Sequence, residues 1–469
     1  MIFHPKHVTP AEGQFRFVGP VEAAAHPCLH KAVFCDFWKN FTYQNSTLTV
    51  TETDSCLFSV GHAQPLPLNG HAYSINVEED GLCICADSEQ DLIHGFMTLL
   101  DRVTVNEGAF GDELAIDCCQ ILDTPSVKAR MVHFCIFPET ELWELHRFVR
   151  LCAALKYTHV IVEFWGMFAY DCMKELAWSH AYTKEELAPI LQEARNLGLE
   201  IIPMFNHWGH APSSRVMHGK HVVLDQAPEK QSYFTDDGWC WDIRKPKVRA
   251  LLGQVRRELC DLCGEGQYFH IGCDEAYSYD LTSTENMDAI CCYLNEISNE
   301  MTARGRRIIM WGDMCLYRHP HYERGWNYAC ISPSPESEAY MLAHLSRDII
   351  MADWQYTPGA APVETSETFT RAGFDCLLCP WDRGWEHTVA CLDTVKSGGL
   401  MGLLHTTWHT LSSGMPYVTL AAVGSYDERL FEGYTYYLTH TAALLRKAAP
   451  VDGDYRKAGW SKKQIEVLW

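Results

Sequence analysis

Tyr268-Phe-His-Ile-Gly-Cys-Asp-Glu275 is the stretch on which the fold turns. It is a short apolar strand pattern that follows the amphipathic run Lys247–Cys263, precedes another at Met287–Thr302, and closes on two adjacent carboxylates. A strand set between two amphipathic helices is one unit of an α/β chain. The same unit recurs on both sides. Beyond Asp123-Thr-Pro125 the strand candidates are Met131–Phe137, His159–Trp165, Glu200–Asn206, Tyr268–Asp274, Arg307–Asp313, Asp348–Trp354, Asp375–Trp381 and Gly402–Trp408. Further helical patterns lie between them at Glu141–Lys156, Lys184–Leu197 and Val389–Ser397. Eight such units predict an α/β chain built as a (β/α)8 TIM barrel; a doubly wound sheet usually has fewer strands and a Gly-rich first turn. The pair Gly264-Glu-Gly266 precedes its strand instead of following it, so a dinucleotide site has no support.

The front of the chain has a different rhythm. Tyr73–Val77 and Leu82–Ala86 alternate around the turn Glu78-Glu-Asp-Gly81, a hairpin pattern, and Ser88 caps a helix whose apolar face is Leu92, Ile93, Phe96, Leu99, Leu100 and Val103. The expected organisation is a small α+β domain over 1–120 and the barrel over 121–469, ending in a last helix between Ser425 and Leu445.

Lys and Arg total 38 against 60 Asp and Glu, a formal charge of −22, which argues against a nucleic-acid backbone or an anionic membrane as partner. A small, weakly charged substrate fits better. The first residues lack the apolar core of a secretory signal and no segment reads as a membrane span, so a soluble, cytoplasmic chain is expected. The 21 cysteines, odd in number and mostly inside apolar runs, point to buried thiols in a reducing compartment. Cys260-Asp-Leu-Cys263 has no second pair, and His207, His210, His218 and His221 match no metalloprotease helix motif. No metal or other cofactor is expected; His210 is assigned to substrate contact.

A barrel works at the carboxyl ends of its strands. There the chain places Glu163-Phe-Trp165, Asn206-His-Trp-Gly-His210, Asp274-Glu275, Trp311-Gly-Asp313, Asp353-Trp354, Trp381-Asp382-Arg383 and Trp408-His-Thr410. Two acids held close do not ionise independently, so one can stay protonated near neutral pH and act as a general acid. Trp165, Trp311, Trp354, Trp381 and Trp408 would surround that pair, and aromatic faces stack on the C–H faces of sugars. A small glycan is the expected substrate.

Phe269-His-Ile-Gly-Cys-Asp-Glu275 resembles the His-x-Gly-Gly-Asp-Glu signature of family 20 glycoside hydrolases, the β-N-acetylhexosaminidases. Ile121-Leu-Asp-Thr-Pro125 with Lys128-Ala-Arg130, the segment Leu155-Lys-Tyr-Thr-His159, and Ile202-Pro-Met-Phe-Asn-His-Trp-Gly-His210 extend the similarity, and residues 73–103 resemble the small domain that commonly precedes this barrel. The resemblance implies retaining exo-hydrolysis of terminal β-linked GlcNAc or GalNAc, with the substrate's own 2-acetamido oxygen attacking C1 to form an oxazolinium ion. Asp274 would orient the acetamido N–H, Glu275 would be acid and then base with a raised pKa, and Arg130 would bind sugar hydroxyls. Departures bear on the sugar. Trp381 is followed by Asp382 where the family often has Tyr, so Tyr356 or Tyr170 is the expected substitute at the acetamido oxygen, and Thr410 stands where a glutamate is common. Rival readings are a noncatalytic sugar-binding relative and a barrel glycosidase using Glu163 or Asp313 as nucleophile.

Overall fold

The computed structural model describes residues 2–450 apart from 109–110, 213–222, 321, 323–327, 383, 409–410 and 427–432. The front of the chain forms β1 (His7–Phe17), β2 (Gly19–Ala25), α1 (Lys31–Phe41), β3 (Ser46–Glu52), β4 (Leu57–Gly61), β5 (Tyr73–Glu78), β6 (Gly81–Ala86), α2 (Glu89–Leu100), β7 (Thr104–Gly108) and β8 (Gly111–Asp123). The strands make one sheet in the order β1-β8-β5-β6-β4-β2-β3, with β7 also on β8. The β5–β6 hairpin forms as predicted, and Ser88 accepts the Asp91 amide N–H at the start of α2. Phe96 on α2 meets Phe58 at 5.0 Å and Phe34 of α1 at 5.4 Å, so an aromatic cluster seals both helices to the sheet. Strand β8 carries this sheet to Asp123, past residue 120.

Then come β9 (Ala129–Cys135), α3 (Leu142–Ala154), β10 (His159–Glu163), α4 (Lys184–Asn196), β11 (Glu200–Met204), α5 (Val223–Gln226), α6 (Pro246–Cys263), β12 (Tyr268–His270), α7 (Thr284–Thr302), β13 (Arg307–Trp311), α8 (Pro335–His344), β14 (Ile350–Trp354), α9 (Thr365–Arg371), β15 (Cys376–Cys379), α10 (Trp385–Lys396), β16 (Gly402–Thr406), α11 (Leu411–Tyr426) and α12 (Tyr434–Ala448). Strands β9–β16 close a parallel barrel. Successive strand residues point to opposite faces, and here one set fills the barrel while the other meets the helices. Ala129, Met131, Ile161, Ile202, Met204, Ile309, Trp311, Ile350, Ala352, Leu377, Cys379 and Leu404 form the inner cluster. Val132, Phe134, Val160, Val162, Ile201, Ile308, Met310, Ile349 and Met351 belong to the outer one.

The tail differs from the single helix expected at Ser425–Leu445: α11 ends at Tyr426 and α12 begins at Tyr434. Short α8 and α9 were not marked by sequence periodicity either. Among the described residues no helix is long and apolar enough to cross a membrane.

The small domain meets the amino-terminal end of the barrel at two buried cations. Lys156, in the left-handed region at φ 60° just after α3, reaches Thr98 Oγ1 of α2 at 2.9 Å, and its ammonium lies 3.8 Å from the ring centroids of both Phe3 and Tyr426. Arg130 lies 5.0 Å from the same Tyr426 ring, on the other parity of β9 from Ala129 and Met131.

Candidate active site

Strand β12 stops at His270, four residues short of the expected Asp274, because the chain leaves extended geometry at once. Gly272, Cys273 and Glu275 all have left-handed φ, 66°, 81° and 47°. In a regular strand Asp274 and Glu275 would face opposite ways. The left-handed turns bring both carboxylates toward one side, where His210 Nε2 lies 2.7 Å from Glu275 Oε2 and 3.5 Å from Asp274 Oδ2. His210 is itself left-handed, at φ 49°, and so is Trp165, at 45°. Such backbone costs about 1–3 kcal/mol per residue and persists only where the surroundings impose it. Two glycines show how tight the packing is. A Cβ at Gly272 would overlap the Asn206 side chain, and one at Gly209 would overlap the Asp274 carbonyl.

Three further groups hold Glu275. The Tyr277 hydroxyl donates to Oε1 at 2.7 Å, the Trp239 indole N–H donates to its carbonyl, and its amide N–H donates to Asp313 Oδ2 at 2.9 Å. Asp313, 1% exposed, also accepts the Trp354 indole N–H on Oδ1 at 3.0 Å. Burial, with the neighbouring Asp274 charge second, raises the Asp313 carboxyl well above its ordinary range. One buried acid thus ties the backbone of the acid pair to the aromatic wall.

That wall stacks in sequence. Tyr356 lies 5.2 Å from Trp354 and 5.0 Å from Trp381 by ring centroids, and the Trp408 indole N–H donates to its hydroxyl at 2.8 Å. Thr406 gives its own proton to the Pro380 carbonyl, so the Tyr356 hydroxyl proton is committed to Thr406 Oγ1 at 3.2 Å. Tyr356 thus stands between Trp354 and Trp381 with its proton already engaged. Tyr170 lies among Phe168 and Phe205 outside the barrel, not in the wall.

Of the residues singled out from sequence, Asp274, Glu275, His210, Trp354, Trp381 and Trp408 come together at the carboxyl end. Trp165 borders them, edge-on to Phe137 at 5.1 Å in a cluster that Trp408 joins. Trp311 lies deeper, fully buried against His270 at 4.3 Å and His133 at 6.0 Å, and forms the floor. Arg130 is not brought there. It is the second residue of β9, at the far end of the barrel, and its guanidinium donates to the carbonyls of Val127, Lys128 and Lys156. Asp382 is buried beside α11, where a Cβ on Gly414 would crowd its carboxylate. Arg383, His409, Thr410, His218 and His221 lie outside the described residues.

Sequence analysis passed over Trp239 and Tyr277, although Tyr277 follows Glu275 by only two positions. It also passed over His133 and Cys135, which alternate on β9 and point into the barrel. With Glu163 they form, among the described residues, a buried group whose ligand-type atoms all lie within 4.8 Å of one another and could hold a metal ion. They are joined by hydrogen bonds instead: Glu163 Oε2 lies 3.3 Å from His133 Nε2 and accepts the Cys135 thiol, while Oε1 accepts the Asn206 amide at 2.9 Å.

A (β/α)8 barrel with paired carboxylates and an aromatic wall at the carboxyl ends of its strands defines a glycoside hydrolase type of site. Residues 163–382 match the family described as glycosyl hydrolase family 20, catalytic domain. The chain is 23% identical over 267 residues to a lacto-N-biosidase of Bifidobacterium bifidum, covering 52% of this chain and 22% of that protein. Hexosaminidase D of Bos taurus is 27% identical over 177 residues, 35% of this chain and 49% of the relative. The chain thus spans less than half the length of either. In fold it is similar to Streptomyces plicatus N-acetyl-β-hexosaminidase, solved with Thio-NAglucal, at TM-score 0.66 and 15% identity over 96% of this chain and 95% of that one. A Vibrio harveyi GH20 exo β-N-acetylglucosaminidase, solved with N-acetylglucosamine, gives TM-score 0.67 at 16% identity over 95% and 77%.

Proposed function

We propose that this chain is a retaining exo-β-N-acetylhexosaminidase that releases terminal β-linked GlcNAc or GalNAc with help from the substrate's own acetamido group. The observation that carries it is the Asp274–Glu275 pair, turned to one side of a left-handed bend and bridged by His210. Asp274 orients the acetamido N–H so that its oxygen attacks C1, and stabilises the growing charge on the oxazolinium ion. Glu275 protonates the departing oxygen, then takes a proton from the water that opens the ring.

A protein nucleophile fits less well. Both Asp313 oxygens already accept N–H groups, from Glu275 and Trp354, and Glu163 is buried and held by Asn206, His133 and Cys135. Neither is offered to an incoming sugar. A reducing, cytoplasmic setting is proposed with it, supported by 21 cysteines that are all free thiols.

The test is release of p-nitrophenol from the β-GlcNAc and β-GalNAc glycosides by wild type, Asp274→Ala and Glu275→Gln, with a thiazoline inhibitor alongside. Turnover blocked by thiazoline and lost in both variants is expected. No turnover of either glycoside by folded wild type would sink the activity, and turnover indifferent to thiazoline would sink the acetamido mechanism.

A further inference from the structure

Among the described residues Tyr277 is the most exposed large aromatic, at 57%, and it stands two positions beyond Glu275. An exposed ring is unremarkable unless it is built into something. This one is. It stacks on Trp239 with centroids 6.2 Å apart and planes 20° from parallel, and Trp239 in turn lies 4.5 Å from the His210 ring. Trp239 is anchored twice, by its indole N–H to the Glu275 carbonyl and by its amide N–H to Asp237 Oδ1 at 3.1 Å. Asp237 also takes the Ser278 hydroxyl at 2.8 Å. The platform is fixed at Trp239 and open at Tyr277.

The two oxygens of Glu275 are placed differently. Oε2 faces His210, on the side of Asp274, whereas Oε1 accepts the Tyr277 hydroxyl at 2.7 Å. On the glycosidase reading proposed above, on which this inference rests, one carboxyl oxygen has to meet the glycosidic oxygen. Oε1 is the one on the open side, and the Tyr277 hydroxyl occupies the position that the glycosidic oxygen would need. The leaving group therefore arrives over Tyr277 and Trp239.

We infer that Tyr277 and Trp239 bind the leaving-group part of the substrate, that they take a group with an apolar face such as a pyranose or aryl ring, and that the Tyr277 hydroxyl yields Glu275 Oε1 to the glycosidic oxygen as substrate binds. Sugar rings present C–H faces that stack on aromatic side chains, and a leaving group without a ring has nothing to lay on this surface. No proton is gained or lost by the tyrosine; its hydroxyl only changes acceptor. Burial, and then the bond to Glu275, hold the phenol well above its ordinary range, so it remains a donor at neutral pH.

The experiment compares two glycosides of whichever N-acetylhexosamine the p-nitrophenyl assay selects: the methyl glycoside, and the disaccharide in which that sugar is β-linked to a second GlcNAc. Because the intrinsic reactivity of each leaving group cancels between variant and wild type, the readout is the loss of kcat/KM on each. Tyr277→Ala is expected to lose about three- to tenfold more on the disaccharide than on the methyl glycoside, mainly through KM, because only the former has a ring to stack. Tyr277→Phe, which keeps the ring, is expected to keep most of the discrimination. Thiazoline binding, which reports the sugar site alone, identifies folded variants. Equal losses on the two substrates would overturn the inference, as would Tyr277→Phe losing as much discrimination as Tyr277→Ala. If wild type neither hydrolyses a glycoside nor binds thiazoline, the glycosidase reading fails and this inference with it; if wild type does both, equal losses in the variants sink the leaving-group site alone.

Discussion

The two ends of the barrel handle buried charge in opposite ways. At the amino end the buried Arg130 and Lys156 are spent on carbonyls, Thr98, His94 and aromatic rings. At the carboxyl end Asp274 and Glu275 are held by strained backbone and a few donors, with a half-open side toward Tyr277. A charge whose every partner is protein serves stability, whereas one placed by strain and left partly accessible is available to a substrate. The two ends should therefore respond to mutation in different currencies.

The sharpest way to break that contrast is at the carboxyl end. Glu275→Gln should lower kcat by about a thousandfold, the scale of a lost general acid and base, with an unchanged melting temperature. A large fall in melting temperature would mean that the acid is structural. At the amino end Arg130→Ala should do the reverse. It strands the buried carbonyls of Val127 and Lys156 and leaves a cavity, costing about 3 kcal/mol in urea unfolding, with kcat/KM per folded molecule unchanged. A selective loss of sugar affinity there would return Arg130 to the site.

Between these lies Asp353, a buried carboxyl on the outer parity of β14, raised to about 6 by burial against the hydrogen bonds of Thr365 and Gln355. The folded protein holds this proton more tightly than the unfolded chain, so Asp353 costs stability as pH rises from about 4 to about 6, by up to ~3 kcal/mol. Asp353→Asn should flatten that part of the stability profile, read as urea midpoints at pH 4 and pH 7; a parallel profile would show that the carboxyl titrates alike in the folded and unfolded chain. The smallest effect is expected at Trp354→Phe, which keeps an aromatic ring, smaller than the indole, but loses the bond to Asp313. It should cost about 1 kcal/mol and raise KM severalfold. No change in KM would separate the wall from the sugar.

Much of the architecture was legible because the barrel strands are short apolar runs between amphipathic helices, a pattern that burial on both faces imposes. Less visible were α8 and α9, too short to establish a period, and α11, whose residues are apolar on most sides because helices and strands surround it. At the site, the interior positions of Trp354, Trp381 and Trp408 could be read by counting along strands. Arg130 could have been excluded in the same way, since it has the opposite parity to Met131. Trp239 could not be found: it lies in a connecting segment, and only the fold brings its indole to the Glu275 carbonyl.

The sequence by itself determined the eight-unit barrel and the position of two adjacent acids at the end of its fourth strand, since apolar period and motif spacing are properties of the chain alone. The tertiary structure decided that the two acids share one side. Neighbouring strand residues diverge by default, and packing around Gly209, Gly272 and His210, with the hydrogen bonds of Asp313 and Trp239 to the Glu275 backbone, holds Cys273 and Glu275 in the left-handed geometry that overrides this.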